Sequence, residues 1–146
     1  MGLVRNMLDV AQDRLVLLPM DGVLGDAATR LHAGTDMLVL TASDGQFAGI
    51  VTKTDIIARL TRGEALNTHT PLCAVARTQV HTCTAGSALR DVWSMMQVNG
   101  IKNVPVLNGQ RPVGLLNARD LLQRLLNEVE NEEELLRDYV MGVGYR

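Results

Sequence analysis

A seven-residue motif occurs twice in this 146-residue chain, and its repetition restricts the possible folds more than any other feature. The pattern Gly-apolar-apolar-(Thr/Asn)-x-x-Asp spans 49–55 and again 114–120, so the two copies lie 65 residues apart at both ends. The same offset, applied without a gap, relates 7–60 to 72–125, and nine of these 54 paired positions are identical. Apolar positions pair with apolar ones in this register, so both copies are predicted to bury the same faces.

Each copy is predicted to fold as strand, helix, strand, strand, helix. In the first copy these elements are 15–18, 23–33, 37–41, 47–51 and a helix from Thr52 through 60. One apolar sheet face and two amphipathic helices are too little to form a core alone. The copies are therefore expected to pack face to face about a pseudo-twofold axis, as an α/β (α+β) fold of tandem β-α-β-β-α repeats.

The second copy is predicted to follow the same order. Its elements are a strand at 80–83, a helix capped by Ser87 and ended by Asn99-Gly100, strands at 103–107 and 112–116, and a helix after Asn117. The Asn108-Gly109 pair between the last two strands is a strong signal for a two-residue hairpin turn.

Four segments follow from this reading. They are 1–61, with a short N-terminal helix at 3–11 and the first repeat; a polar linker at 62–71; the second repeat at 72–127; and an acidic helical tail at 128–146. The tail carries an apolar stripe that needs a cover, from this subunit or another, and its members are Leu135, Leu136, Tyr139 and Val140.

Composition narrows the classes of function. The net charge is −2 and the basic residues are scattered, so the chain lacks the basic stripe of a nucleic-acid-binding protein. We expect no secretion signal and no membrane span. Two cysteines without metal-site spacing suit a reduced, cytoplasmic setting. The sequence offers no nucleophile paired with a base and no metal cluster, so an enzyme is not expected.

The chain resembles the paired cystathionine-β-synthase (CBS) domain, also called the Bateman module. The resemblance rests on the two copies of the glycine-to-aspartate motif, each after a strand and before a helix, and on the segment 100–106, Gly-Ile-Lys-Asn-Val-Pro-Val. It covers about 7–126. It implies a sensor that binds an adenosine-containing ligand (AMP, ADP, ATP, an NAD-type dinucleotide or S-adenosylmethionine) in the clefts between copies, and that dimerises as a disc.

The resemblance also implies which residues hold the ligand. The motif hydroxyl and carboxylate bind the ribose, apolar residues of the first strand and of the segment before the proline enclose the adenine, and basic side chains meet the phosphates. The positions are Leu17, Thr52, Lys53, Asp55, Val80, Thr82, Ile101, Lys102, Asn103, Pro105, Asn117, Arg119 and Asp120.

Two interpretations of the motif aspartates remain open at this point. A carboxylate in the first turn of a helix can accept hydrogen bonds from both hydroxyls of a ribose, at about 1.5 to 3 kcal/mol for each charge-assisted bond. Thr52-x-x-Asp55 and Asn117-x-x-Asp120 are also helix-capping patterns, worth about 1 kcal/mol without any ligand.

The gap-free offset makes the two predicted binding sites unequal. It aligns Met37 and Thr54 of the first copy with Lys102 and Arg119 of the second, which leaves Lys53 as the basic residue of the first site. We therefore expect the site around Asp120 to prefer phosphorylated ligands. Asn117 replaces the hydroxyl of Thr52 there, which weakens the expected grip on the ribose.

The resulting prediction is a stand-alone homodimeric sensor, with AMP as its first candidate ligand, that needs no cofactor and acts on a separate regulated protein. The alternative is a structural dimerisation module whose clefts are vestigial.

Overall fold

Two three-stranded sheets, one from each copy of the repeat, form the frame of the molecule. The computed structural model describes residues 2–143, except for the side chains of 134, 135 and 138–143. The first sheet has the order β1 (Leu17–Pro19), β2 (Met37–Thr41), β3 (Phe47–Thr52), and the second has β4 (Cys83–Thr84), β5 (Asn103–Asn108), β6 (Arg111–Asn117). In both sheets the first pair of strands is parallel and the second antiparallel. The predicted tandem fold is confirmed.

The helices complete each repeat. They are α1 (Leu8–Arg14) after a 3₁₀ turn at Val4–Met7, α2 (Leu24–His32), α3 (Lys53–Thr61), a 3₁₀ turn at Leu72–Ala74, α4 (Leu89–Asn99) and α5 (Ala118–Val143). Helix α5 continues without a break across residue 128, where the tail was expected to begin. In the predicted stripe of the tail, Leu136 is 65% exposed. The side chains of Leu135, Tyr139 and Val140 lie outside the described ones.

The first helical segment of each repeat packs on the other repeat. Met7 and Ala11 lie in the core of the second repeat, whereas Leu72 and Val75 lie in the core of the first. Helix α1 rests on β6, where Gly114 permits the approach because a Cβ there would lie 2.8 Å from the Cβ of Ala11. This crossed arrangement buries apolar surface that neither repeat covers by itself.

A third apolar cluster joins the two sheets. Leu115 of β6 meets Met37, Val39 and Ile50 of the first sheet, and all four are at most 6% exposed. The backbone of Ile50 also exchanges two hydrogen bonds of 2.9 Å with Arg77, outside either sheet. The two repeats therefore share a continuous core at the place where the motif strands β3 and β6 lie.

Two details of the predicted second repeat were wrong. The strand expected at 80–83 is reduced to β4, because Val80 packs into the cluster between the sheets and pairing with β5 begins at Cys83. Ser87 does not cap α4. Its hydroxyl accepts a hydrogen bond from the Thr84 N–H at 3.1 Å, and the Leu89 N–H at the start of the helix donates to the carbonyl of Gly2.

The alignment of the two copies shifts by one residue in the hairpins. Met37, the first residue of β2, pairs with the last residue of β3, whereas Asn103, the first residue of β5, pairs with the last residue of β6. Met37 thus corresponds to Asn103, and Asp36 corresponds to Lys102, so the gap-free alignment of Met37 with Lys102 was wrong. The turn of the second hairpin also lies one residue later than predicted, at 109–110, where Gly109 supplies a φ of +63°.

None of the helices in the described part of the chain is both long enough and apolar enough to cross a bilayer.

The two thiols are expected to differ strongly in reactivity. Cys73 is exposed, whereas Cys83 is 6% exposed and burial raises its pKa to about 12. Because the thiolate is the reactive form, Cys83 stays protonated and inert in the folded protein at pH 8, and it ionises above pH 9 only on unfolding. Titration with a chromogenic disulfide at pH 8 should show one fast thiol, and Cys73→Ser should remove it. A second equally fast thiol would contradict the packing of β4.

Candidate functional site

A cleft of about 1170 Å³ lies where the motifs of the two repeats meet. It is lined from the first repeat by Thr52, Lys53 and Thr54, and from the second by Asn117, Ala118 and Arg119. Since both motifs join a strand to a helix, the cleft receives two helix N-termini, where the helix dipole favours anions. Val80 and Ile101 add apolar surface to the wall.

Asp55 is held in a capping box at the start of α3. Its Oδ2 accepts hydrogen bonds of 2.9 Å from both the N–H and the hydroxyl of Thr52, and that hydroxyl accepts the Asp55 N–H at 3.2 Å. Its Oδ1 accepts a 3.1 Å hydrogen bond from Nε of Arg77, which lies near the start of the second repeat. Both oxygens of Asp55 therefore have hydrogen-bond partners. The side chain is 15% exposed and lies at the edge of the cleft.

Asp120 begins α5 with a different set of partners. Its N–H donates to Oδ1 of Asn117 at 2.8 Å, which confirms the predicted cap. Its carboxylate instead receives a two-point fork from Arg14, with Nε at 3.0 Å from Oδ2 and Nη2 at 3.1 Å from Oδ1. The hydrogen bond to this carboxylate, helped by its charge, raises the pKa of Arg14 above its usual value. Asp120 is 17% exposed.

Both aspartates are thus paired with an arginine from the other repeat. Arg14 ends α1 of the first repeat and reaches Asp120, whereas Arg77 lies near the start of the second repeat and reaches Asp55. The offset of 65 aligns Arg14 with Gln79 rather than with Arg77, so the alignment of the copies carried no signal for this pairing.

Positive charge dominates the described lining of the cleft. Five cationic side chains line it, namely Arg14, Lys53, Arg77, Lys102 and Arg119. The sequence suggested Lys53 as the basic residue of the Asp55 half of the cleft. The structure adds Arg77 to that half. Asp36 adds a carboxylate to the lining, at the position that corresponds to Lys102, and its charge contributes to the raised pKa of Arg14. Three of the five cations, Arg14, Lys102 and Arg119, accompany Asp120, and the other two accompany Asp55.

Most of the predicted ligand-binding residues gather at this cleft. Eight of them line it: Thr52, Lys53, Val80, Ile101, Lys102, Asn103, Asn117 and Arg119. Asp55 and Asp120 lie behind the arginines that cover them. Leu17, Thr82 and Pro105 are not among the lining residues. Leu17 lies in β1, Pro105 lies in β5, and Thr82 is exposed just before β4.

Within the side chains that the structure describes, no group of three or more His, Cys, Asp or Glu residues is arranged to hold a metal ion.

Comparison with known families supplies the context of this site. The model of the CBS domain family matches the chain twice, at residues 8–62 and 72–127. A comparison with curated protein sequences found no similar relative.

Solved structures of the same fold span nearly the whole chain. A putative acetoin utilization protein (AcuB) from Vibrio cholerae is 24% identical, with 92% of this chain and 97% of that chain covered and a TM-score of 0.76. A CBS domain protein from Pyrobaculum aerophilum, complexed with AMP, is 22% identical over 86% and 99% of the two chains, with a TM-score of 0.69. CBSX2, also in complex with AMP, is 13% identical over 87% and 98%, with a TM-score of 0.73.

The two family matches coincide with the two structural repeats, and each includes one copy of the motif that borders the cleft. The chain therefore belongs to the CBS domain family and carries two copies of the domain in tandem.

Proposed function

We propose that this protein is a sensor that binds an adenosine-containing ligand, with AMP as the first candidate, in the cleft between its repeats. The observation that carries the proposal is the convergence of both motifs and five cationic side chains on one cleft of about 1170 Å³. This space and charge suit a nucleotide, which has an apolar base, a ribose diol and an anionic phosphate. The AMP complexes of two related folds support the choice of AMP.

Each part of the nucleotide has a matching group in the cleft. Asp55 and Asp120 would accept hydrogen bonds from the ribose hydroxyls. Val80 and Ile101 would pack against the adenine, since both combine apolar side chains with a place in the lining. Lys102 would meet a phosphate beside the start of α5, where its own carbonyl accepts the Ala118 N–H at 2.8 Å.

Binding of a ligand would be converted into a signal through the contacts between the repeats. A ligand that touches both repeats stabilises the arrangement in which both of its contact sets are made, and it shifts the population toward that arrangement. We propose that a separate protein reads this shift, in a reduced cytoplasmic setting that suits the exposed thiol of Cys73. In this account the protein regulates and does not catalyse.

A homodimer is the second part of the proposal. Ile57 and Leu60 on α3 and Leu122, Leu126 and Val129 on α5 are large apolar side chains that are 40 to 58% exposed. Several exposed apolar side chains on two helices of one chain are typical of a surface that associates with another protein. The two helices occupy corresponding positions in the two repeats, and a twofold axis would place this surface against the same surface of a second copy.

A structural module without a ligand is the competing function, and one observation favours it. The pairs Arg14–Asp120 and Arg77–Asp55 already satisfy both carboxylates and join the repeats. In that case the motif aspartates would serve to cap helices and to hold the two repeats together.

Thermal unfolding with a panel of AMP, ADP, ATP, NADH and S-adenosylmethionine separates these functions. At a hundred times its Kd a ligand adds about 2.7 kcal/mol to the free energy of unfolding, or roughly 5 to 10 °C for a chain of this size. We expect AMP to produce such a shift, and Asp55→Asn or Asp120→Asn to reduce it.

The control for this panel is Asp91→Asn. Asp91 also lies in the first turn of a helix but is exposed on α4, outside the lining of the cleft. Its shift with AMP should equal that of the wild type. If no ligand of the panel raises the unfolding temperature, the sensor function is wrong and the structural function stands.

A further inference from the structure

The two ion pairs at the cleft differ in how completely they occupy the aspartate. Arg77 contacts Oδ1 of Asp55 through one nitrogen, and Thr52 takes up Oδ2 from the same repeat. Arg14 instead contacts both oxygens of Asp120. A two-point fork between guanidinium and carboxylate is the stronger and more directional arrangement.

A ribose in the cleft can reach Asp120 only after Arg14 turns aside, because Arg14 lines the cleft whereas Asp120 lies behind it. Arg14 holds both oxygens of that carboxylate, at 3.0 and 3.1 Å. The displaced guanidinium would lose both hydrogen bonds, since Asp13 and Asp36 act on it through their charge alone. It would stand in the half of the cleft that contains Lys102 and Arg119. A neutral nucleoside offers no replacement for these hydrogen bonds, whereas a nucleotide brings a phosphate that takes the place of the carboxylate.

Exposure makes such an exchange feasible. The Arg14 side chain is 51% exposed, so it can turn without disturbing the core. Because solvent screens the exposed guanidinium, breaking this pair costs less than breaking a buried one, although the fork makes it stronger than a single contact. The arginine therefore acts on the choice of ligand more than on the fold.

We infer that Arg14 is a specificity-determining residue of the Asp120 half of the cleft, which it closes to neutral nucleosides and opens to nucleotides by moving from the carboxylate to the phosphate. This inference rests on the proposed function of the cleft and extends it to a residue outside both repeated motifs. The position of the Arg14 guanidinium then depends on whether a ribose is bound to the Asp120 carboxylate, so a residue of one repeat responds to ligand bound by the other.

Calorimetric titration with AMP and with adenosine tests this role. The titrations use Asp55→Asn as the background, so that the Asp120 half dominates the signal. In that background we expect AMP to bind more tightly than adenosine, and Arg14→Gln to reduce the ratio of the two affinities about tenfold, the effect of one charge-assisted hydrogen bond. Adenosine itself should bind at least as well to Arg14→Gln, because its competitor for Asp120 is gone.

Two further variants sharpen the result. Arg14→Lys keeps the charge but loses the two-point fork, so it should reduce the ratio less than Arg14→Gln does. Arg90→Gln removes an exposed arginine of α4 that does not line the cleft, and it should leave the ratio unchanged.

The outcomes separate the inference from the function on which it rests. If AMP and adenosine both bind but Arg14→Gln leaves their ratio unchanged, or weakens both equally, the role of Arg14 is wrong while the sensor function stands. If neither binds to the background protein or to the wild type, both the sensor function and the role of Arg14 are wrong.

Discussion

Replacement of Leu121 by alanine is expected to lower the free energy of unfolding by about 2 to 5 kcal/mol. Leu121 is completely buried in the first turn of α5, where it packs in the same cluster as Met96 and Val104. The truncation removes apolar surface from the core and leaves a cavity that the surrounding helices and sheet cannot fill. Chemical denaturation of the purified variant measures the loss.

The neighbouring Leu122 provides a matched control. It is 41% exposed on the same helix, so Leu122→Ala should change the free energy of unfolding of a subunit by well under half of the loss seen at Leu121. Sedimentation of Leu122→Ala at several concentrations should instead show weaker self-association, because this side chain belongs to the proposed dimer surface. Equal losses of stability in the two variants would contradict the orientation of α5 on the second repeat.

Gly114→Ala is expected to lower the free energy of unfolding by about 1 to 3 kcal/mol. The added Cβ would lie 2.8 Å from the Cβ of Ala11 and 3.2 Å from its carbonyl carbon, so α1 must move away from β6. This effect depends on α1 of the first repeat packing on β6 of the second. If α1 packed on the sheet of its own repeat, Gly114→Ala would not cause this clash. Thermal or chemical unfolding measures the change.

Two companion variants isolate the steric cause of that loss. Gly86→Ala places a Cβ 3.5 Å from its nearest neighbour, an ordinary contact, and should be nearly neutral. Ala11→Gly, combined with Gly114→Ala, removes the closest clash and should recover part of the lost stability. If Gly114→Ala is as stable as the wild type, α1 does not lie on β6 as described.

The strand and helix pattern was predictable because it depends on local signals. The span 37–41 was predicted as a strand and is β2, and the helix predicted after Thr52 begins at Lys53 with the expected capping box. Gly100 ends α4 with a φ of +62°, as a glycine after a helix predicts. The alternation of apolar and polar residues, the helix-capping residues and the turn glycines determine structure within a few residues of themselves, so they can be recognised directly in the sequence.

The arginines at the cleft could not be predicted in the same way. Arg14 and Asp120 are separated by 106 positions, and Arg77 and Asp55 by 22, so neither pair lies within a local pattern. Their contacts follow from the crossed packing, which depends on tertiary structure. The absent cap at Ser87 has the same origin, because the N-terminal segment supplies the carbonyl of Gly2 to the start of α4.

The equivalence of the two sites was also misjudged for a physical reason. An alignment without gaps cannot register that the hairpin from Asn103 to its partner Asn117 is one residue shorter than the hairpin from Met37 to its partner Thr52. Pairing across the hairpins gives the true correspondence, in which Asp36 takes the place of Lys102. The carboxylate of Asp36 is therefore part of the cleft, which the gap-free alignment did not indicate.

A crystal structure of the protein grown with AMP tests the central claim most directly. We expect AMP in the cleft between the repeats, with its ribose hydroxyls within hydrogen-bonding distance of the Asp120 or Asp55 carboxylate. At the Asp120 half, we expect Arg14 turned from the carboxylate toward the phosphate. AMP bound away from the cleft, or a cleft without AMP at saturating concentration and both ion pairs intact, would contradict the account.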